Sequence, residues 1–157
     1  MPRTRSIREQ ENILSQALID AAKASVVAYN DKNWDAVMKA VTTDVEYDEV
    51  ATNRKLHGTS EVIVAWKGWA TALPDSKATI EAAHLSGNTV TLELTWHGTH
   101  TGPLQTAAGE IPATGKKIEV RAVQIVDLTP DGKTRRVRHY FDMATLLAQL
   151  GVTTVGA

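Results

Sequence analysis

The sequence predicts an α+β fold in which a strongly curved, mostly antiparallel sheet forms a cone covered by N-terminal helices. Three observations predict it. Helical periodicity fills the first part of the chain, period-two alternation fills most of the second, and short turns join consecutive strands. We therefore expect the order α-α-β-α-β-β-β-β-α in a single domain spanning residues 1–157. A cone of this kind is a natural place for a small-molecule pocket.

The first helix is predicted over residues 8–29, where apolar side chains recur at three- and four-residue spacing. We expect them to form one buried stripe, made of Leu14, Ala17, Leu18, Ala21, Ala22, Ser25, Val26 and Tyr29. The second helix places Trp34, Val37, Met38 and Val41 on one face. Asn33, just before it, is a residue type preferred at helix N-caps.

Residues 45–50 are predicted to form the first strand, and residues 52–58 a polar loop. A third helix then starts with Thr59 or Ser60 as its cap. It ends at Pro74, because the residue before a proline is pushed out of helical geometry.

Four further strands are predicted over residues 78–82, 90–96, 118–128 and 135–141. Apolar and polar residues alternate in the first two, which indicates half-buried strands. Residues 102–115 are rich in Gly, Pro, Ala and Thr and are predicted to form a long loop. Asp131-Gly132 is a strong hairpin signal, and a short Leu-rich helix is predicted over residues 144–150.

Composition narrows the function classes. The chain has 157 residues, of which 43% are apolar and 22% charged, and its net charge is −1. This net charge provides no overall electrostatic attraction to nucleic acid or to anionic membranes. It has no cysteine, which excludes disulfides, thiol catalysis and Cys-based zinc sites. The charged segment 1–11 does not read as a signal peptide, and no apolar run could span a bilayer, so we expect a cytoplasmic protein.

Several short motifs, in this order and spacing, resemble the SnoaL-like polyketide cyclase (ester cyclase) family. This family belongs to the superfamily of nuclear transport factor 2, ketosteroid isomerase and scytalone dehydratase. The motifs are GTHTGP at 98–103, PATGK at 112–116, DGK at 131–133 and YFD at 140–142, which leads into LAQLG at 147–151. The resemblance covers about residues 20–152. The first strand differs from the family pattern: YDEV at 47–50 stands where the family often has a His followed by Asp-Pro.

The resemblance implies a cone-shaped pocket, frequent dimers and a cofactor-independent intramolecular aldol ring closure. It also implies that the carboxylate at the end of the last strand, here Asp142, is the acid/base. The residues alone leave a second interpretation open, because Asp142 precedes a helix and Asp is a preferred N-cap. If Asp142 faces the cone, Tyr140 should share its face and supply a hydroxyl donor, while His139 should point the other way.

His100 is the second catalytic candidate, since it could hydrogen-bond an enolate oxygen or share a proton with Asp142. The alternative is a structural histidine bound to a loop. His97 lies on the polar strand face and is predicted to be exposed. These two histidines should point to opposite faces and have no evident third ligand, so we predict no metal site.

Four residues are predicted to contact substrate besides Tyr140. Tyr47, Trp66 and Trp69 could form an aromatic wall, although such a stripe is often simply core. Gln124 interrupts an apolar strand face and must find partners if it is buried. The sequence does not settle which face of this strand lines the pocket.

Three functions are compatible with these residues. The first is a cofactor-independent acid/base enzyme for a small, largely apolar or polycyclic carbonyl compound, with Asp142 and His100 as its catalytic residues. The second is a limonene-type epoxide hydrolase, for which Glu119, Arg121 and Asp142 offer a loose match. The third is a non-catalytic small-molecule-binding or dimerisation module. We expect a homodimer with no cofactor, metal, nucleic-acid or membrane partner.

Overall fold

The computed structural model describes residues 4–152. Its helices are α1 (Ile7–Asn30), α2 (Trp34–Ala40), α3 (Thr59–Ala72) and α4 (Met143–Gln149). Its strands are β1 (Val41–Glu49), β2 (Arg54–His57), β3 (Lys77–Ser86), β4 (Thr89–Thr99), β5 (Leu104–Thr106), β6 (Gly109–Ile111), β7 (Lys117–Leu128) and β8 (Thr134–Phe141). A 3₁₀ turn, Val50–Thr52, follows β1. Among the helices of residues 4–152, none has the length and hydropathy needed to cross a bilayer.

Six strands form one curved sheet in the order β2-β1-β8-β7-β4-β3. The pair β1–β8 is parallel and the other four pairs are antiparallel, so the sheet is mixed but mostly antiparallel. The α+β class, with helices preceding most of the strands, is therefore confirmed. The parallel pair brings the first strand beside the last one, and this contact positions the site described below.

Two predicted loops contain strands. β2 lies inside the predicted polar loop 52–58 and pairs with β1, and β5 and β6 form a separate hairpin inside the predicted loop 102–115. These strands are three or four residues long. Strands this short leave no clear alternation in the sequence, although Leu104 of β5 is buried and Leu56 of β2 packs against the core.

The predicted caps are right for one helix and wrong for another. The Asn33 side chain accepts a hydrogen bond from the Ala36 backbone N–H at 3.1 Å, which confirms it as the N-cap of α2. Helix α3 is preceded instead by Gly58, at φ +84°, and no side chain caps it. The predicted cap Thr59 is already helical, and its hydroxyl donates to the Thr42 carbonyl at 3.2 Å.

Helix α1 buries only the C-terminal part of its apolar stripe. Ala22, Val26 and Tyr29 pack into the core, whereas Leu14 is 66% exposed, contrary to the expectation of one buried stripe. Helical periodicity shows that a face is apolar, but it does not show that another element covers that face. In a 24-residue helix of about 36 Å, the first turns extend past the elements that bury the last ones.

The core has two clusters that meet at the candidate site. The larger cluster lies between α1, α2, α3 and the inner face of the sheet. The smaller one lies under α4 and includes Leu73, Ile118, Val120 and Leu146. Residues from both clusters line the same pocket.

Candidate active site

A pocket opens between helices α1, α3 and α4 and the inner face of the sheet. Its empty space is about 640 Å³ when the volume of the mouth, which is open to solvent, is included. Its walls are largely apolar and aromatic, and the aromatic side chains are Tyr29, Tyr47, Trp66, Trp69, Trp96 and Phe141. This is the composition expected of a small-molecule site.

The aromatic rings fix one another edge to face. The Tyr29 ring lies 5.8 Å from that of Trp66 and 5.3 Å from that of Trp96, with interplanar angles of 85° and 90°. The Tyr47 ring lies 5.6 Å from that of Trp66. The Tyr29 hydroxyl is tied to Ser76 Oγ at 2.7 Å. Edge-to-face packing of large rings favours one arrangement, so the pocket is largely preformed.

A chain of hydrogen bonds crosses one wall of the pocket. Trp96 Nε1 donates to His139 Nε2 at 3.2 Å, and His139 Nδ1 lies 2.6 Å from the Tyr47 hydroxyl. Because an indole N–H can only donate, Nε2 must be the unprotonated nitrogen. A neutral His139 then carries its proton on Nδ1 and donates it to the Tyr47 oxygen. The hydroxyl hydrogen of Tyr47 is thereby left free to bind a ligand.

Burial keeps the two titratable members of this chain, His139 and Tyr47, neutral. The pKa of His139 is lowered to about 3, because its buried imidazole cannot easily carry charge. The pKa of Tyr47 is raised well above its ordinary value by burial, and the negative charge of Glu49 raises it further. The N–H of Trp66 partly offsets this rise, although it makes no hydrogen bond of normal geometry. Tyr47 is therefore a hydrogen-bond donor rather than a phenolate.

A buried carboxylate lies beside this chain. Glu49 is 1% exposed and lines the pocket two residues after Tyr47, on the same face of β1. Its Oε2 accepts from Trp69 Nε1 at 2.9 Å, while its Oε1 accepts from Thr52 Oγ1 at 2.6 Å and Arg54 Nη2 at 3.0 Å. The Arg54 guanidinium compensates the buried charge. Two carboxylate oxygens offer about four acceptor positions, so one is still open.

The sheet register places three polar residues in one row. Gln124 of β7 is opposite His139 of β8, and His139 is opposite Glu49 of β1. All three line the pocket. Adjacent strands are about 4.8 Å apart, so the backbones at the two ends of the row are separated by about 10 Å. The pocket thus has a polar row across an otherwise apolar floor.

The sequence model of the SnoaL-like polyketide cyclases matches residues 19–150, which is most of the chain. The chain belongs to the SnoaL-like polyketide cyclase family. None of the curated protein sequences matches it.

Several solved structures have the same fold. A candidate SnoaL-like polyketide cyclase from Jannaschia sp. CCS1 superposes with a TM-score of 0.79 at 16% identity, over 96% of this chain and 99% of that one. IdmH from Streptomyces antibioticus, a candidate polyketide cyclase, gives 0.73 at 20% identity, over 86% and 99%. AclR from Streptomyces galilaeus, a candidate hydroxylase, gives 0.74 at 19% identity, over 87% and 97%. At these identities the likeness is one of fold, and with the family it supports a cyclase- or isomerase-type role.

In this SnoaL-like chain Asp142 lies outside the pocket. It is exposed, and its carboxylate accepts from the Ala144 N–H at 3.0 Å and the Thr145 hydroxyl at 2.6 Å. Those bonds, above all the one from Thr145, hold the pKa of Asp142 below its ordinary value. A base working near neutral pH needs the opposite shift. The geometry therefore supports the helix-cap interpretation over the catalytic one.

The residues of β8 that line the pocket are His139 and Phe141. A catalytic Asp142 would require the opposite face of the strand to point into the pocket. Val137 and His139 are buried and Phe141 is half-buried, whereas Tyr140 is 41% exposed. Alternation on a strand puts Tyr140 on the outer face as soon as His139 points inward. Tyr140 is thus not among the pocket-lining residues.

His100 is buried but does not line the pocket. Its Nδ1 lies 3.0 Å from the Thr114 hydroxyl, and its backbone N–H donates to the Lys116 carbonyl at 2.8 Å. Burial lowers its pKa. His100 joins two loop segments in this structure, whereas His97 is exposed as predicted.

The four remaining candidates all line the pocket: Tyr47, Trp66, Trp69 and Gln124. The residues suggested for epoxide hydrolysis do not, since Glu119 and Arg121 are exposed on the outer face of β7. Within the described residues no group of three or more acidic or histidine side chains is arranged to hold a metal ion.

Sequence reasoning missed His139, Glu49 and Trp96 as site residues. A signal for His139 was present, since Val137 and Phe141 flank it at two-residue spacing on the apolar face of its strand. Glu49 follows Val45 and Tyr47 in the same way. In both strands a polar residue takes the next position of an inward-facing apolar series.

Proposed function

We propose that this protein is a cofactor-independent acid/base enzyme that moves a proton on a small, largely apolar carbonyl compound. The observation that carries the proposal is the Trp96–His139–Tyr47 chain at the pocket wall. It presents the Tyr47 hydroxyl as a donor inside a largely apolar, aromatic pocket. A donor fixed in that way stabilises the oxygen of a carbonyl as negative charge develops on it.

Glu49 is the carboxylate best suited to take the proton. It is the buried acidic residue among those that line the pocket, and it shares a strand face with Tyr47. His139 is a poor base, because its Nε2 lone pair is engaged by Trp96 and its pKa is lowered to about 3. We therefore assign His139 the role of orienting Tyr47.

The chemistry follows from these two roles. The Glu49 carboxylate removes a proton from the carbon next to the carbonyl, so that a C–H bond breaks and an O–H bond forms on Glu49. The electron pair moves to the carbonyl oxygen, which Tyr47 holds by a hydrogen bond. Return of the proton to another carbon completes an isomerisation. Attack of the enolate on a second carbonyl, with the proton passing to the new alkoxide, completes an aldol ring closure.

Proton abstraction can be tested with a probe ketone rather than the natural substrate. The exchange of the α-hydrogens of α-tetralone in D2O, followed by proton NMR, reports the step directly. We expect Glu49→Gln to slow exchange roughly 100- to 10,000-fold, and Tyr47→Phe about 100-fold or more.

The matched control is Asp142→Asn, which removes the other carboxylate candidate and should leave the exchange rate unchanged. Melting curves of all variants check that the fold is intact. If the wild type exchanges α-tetralone no faster than Glu49→Gln does, the proposal is contradicted, and a binding module becomes the better description. A loss of exchange in Asp142→Asn alone would restore the assignment made from the sequence.

A further inference from the structure

Gln124 is the one polar member of the row that the proposed proton transfer does not use. Its side chain is 2% exposed and lines the pocket. The amide has no hydrogen-bond partner among the described residues, and its atoms are not sealed within the protein, so they face the pocket space. A buried amide without partners costs free energy unless a ligand or water satisfies it.

The other polar groups of the row are already engaged. The Tyr47 oxygen and both His139 nitrogens belong to one hydrogen-bonded chain, and the Glu49 carboxylate has three donors around it. Gln124 alone offers both an unused donor and an unused acceptor. It therefore fits a hydroxyl or a carbonyl equally well, provided that the group reaches this end of the row.

The register fixes where that group must lie. His139 separates Gln124 from Glu49, so the two ends of the row are about 10 Å apart at the backbone. The walls above the row are aromatic and apolar. A ligand that meets Glu49 and Tyr47 with one carbonyl must therefore carry its second oxygen on the far side of a flat hydrocarbon body.

We propose that Gln124 is a specificity-determining residue, which selects flat carbonyl compounds bearing a second oxygen group remote from the reacting carbonyl. This inference rests on the proposed function, because the first carbonyl is the one held by Tyr47. Sites built to hydrogen-bond a polar group reject analogues that lack it, because the buried partner is then left unpaired.

A matched ligand pair tests the inference. Isothermal titration calorimetry on the full chain compares α-tetralone with its derivatives that carry one hydroxyl on the aromatic ring. We expect the best hydroxylated derivative to bind the wild type about tenfold more tightly than α-tetralone. Gln124→Leu should remove this preference, and it should bind α-tetralone at least as tightly as the wild type does.

Gln124→Met is the second variant, since it keeps the chain length and removes only the amide. Gln16→Leu, on the exposed side of α1, is the control and should keep the wild-type preference. The inference is overturned if no hydroxylated derivative binds the wild type more tightly than α-tetralone. It is equally overturned if Gln124→Leu and Gln124→Met change both affinities by the same factor.

A different measurement, the hydrogen exchange described above, decides whether the proposed function is correct. Hydrogen exchange in α-tetralone depends on Glu49 and Tyr47 and does not need the second oxygen. Exchange without ligand preference would overturn the role of Gln124 alone, whereas ligand preference without exchange would leave Gln124 as the specificity residue of a binding site.

Discussion

At the scale of single residues, burial separates the two carboxylates that could act as a base. Glu49 is the last residue of β1 and Asp142 follows β8, and each accepts hydrogen bonds from neighbouring donors. Asp142 does so in solvent at the start of α4, whereas Glu49 does so 1% exposed against the pocket. The same chemical group is a structural cap in one environment and a candidate base in the other.

His139 makes the stability of the protein depend on pH. Its pKa is lowered from an unfolded value of 6.5 to about 3, so the unfolded chain binds an extra proton between these values. The stability that its neutral form contributes is complete above pH 6.5 and is lost as the pH falls towards 3. Within that window we expect His139 to contribute a slope of about 1.4 kcal/mol per pH unit.

Chemical denaturation of the wild type and of His139→Gln, between about pH 7 and about pH 5, measures this slope. The variant should lose less stability on acidification than the wild type, since Gln does not titrate. His97→Gln changes an exposed histidine and should behave as the wild type. Carboxylates such as Asp127, whose pKa is also lowered, contribute equally to every variant and cancel in the comparison. Parallel curves for wild type and His139→Gln would rule out a buried neutral imidazole.

The site residues were only partly predictable for a physical reason. Tyr47, Trp66 and Trp69 lie on faces with apolar neighbours, which favour a position facing the core. For Gln124 the sequence left both faces of its strand possible, and the structure places it in the pocket lining. The sequence left Asp142 open between a helix cap and a base, because both uses favour Asp and motif position does not distinguish them. An inward-facing Asp142 would have required an outward-facing His139, because consecutive residues of a strand point to opposite faces. The structure places His139 in the pocket lining.

At the scale of elements, the C-terminal end of α3 is held by a loop that leaves no space for a side chain. The backbone N–H groups of Thr101 and Gly102 both donate to the Ala72 carbonyl at 3.1 Å. A Cβ added at Gly102 would lie 2.0 Å from the Thr71 carbonyl oxygen. The carbonyl belongs to the backbone and cannot move aside cheaply.

Gly102→Ala should therefore destabilise the protein by about 1–3 kcal/mol, as overpacking typically does. Gly68, inside α3, is the matched control, since an added Cβ meets no atom within 4 Å there. Gly68→Ala should stabilise the protein by up to about 1 kcal/mol, because alanine favours helix. Equilibrium denaturation measures both. If the two variants changed the free energy of unfolding by the same amount, the loop would have to move to accommodate the Cβ added at Gly102.

Element boundaries were predictable where period and turn chemistry agree. The alternation of β4, the Asn33 cap and the turn at Gly132 each follow from local sequence. The strand β2 and the hairpin of β5 and β6 depend instead on partners that a local pattern does not contain. In the first half of α1, by contrast, the local pattern predicted a buried face, but no other element within residues 4–152 covers that face.

At the scale of the whole molecule, we propose that the face of the sheet opposite the helices mediates self-association. Val123 and Ile125 of β7 are partly exposed there, beside Tyr140 of β8. We expect a homodimer that uses this face. Light scattering after size exclusion should give twice the mass of one chain, and Ile125→Asp should give a single-chain mass with an unchanged melting curve at low concentration. A wild type of single-chain mass at all concentrations would refute this expectation.

The parallel pairing of β1 with β8 also sets when the pocket can exist. The bond between Tyr47 and His139 joins residues 92 positions apart, and the strand that supplies His139 is the last of the sheet. Contacts between such distant segments close large loops and form slowly. During synthesis, the edge of β1 that pairs with β8 therefore stays unpaired until β8 has left the ribosome. Ligand-binding competence should consequently appear only after β8 has joined the sheet, and a chain that stops before β8 should have neither a continuous sheet nor a site.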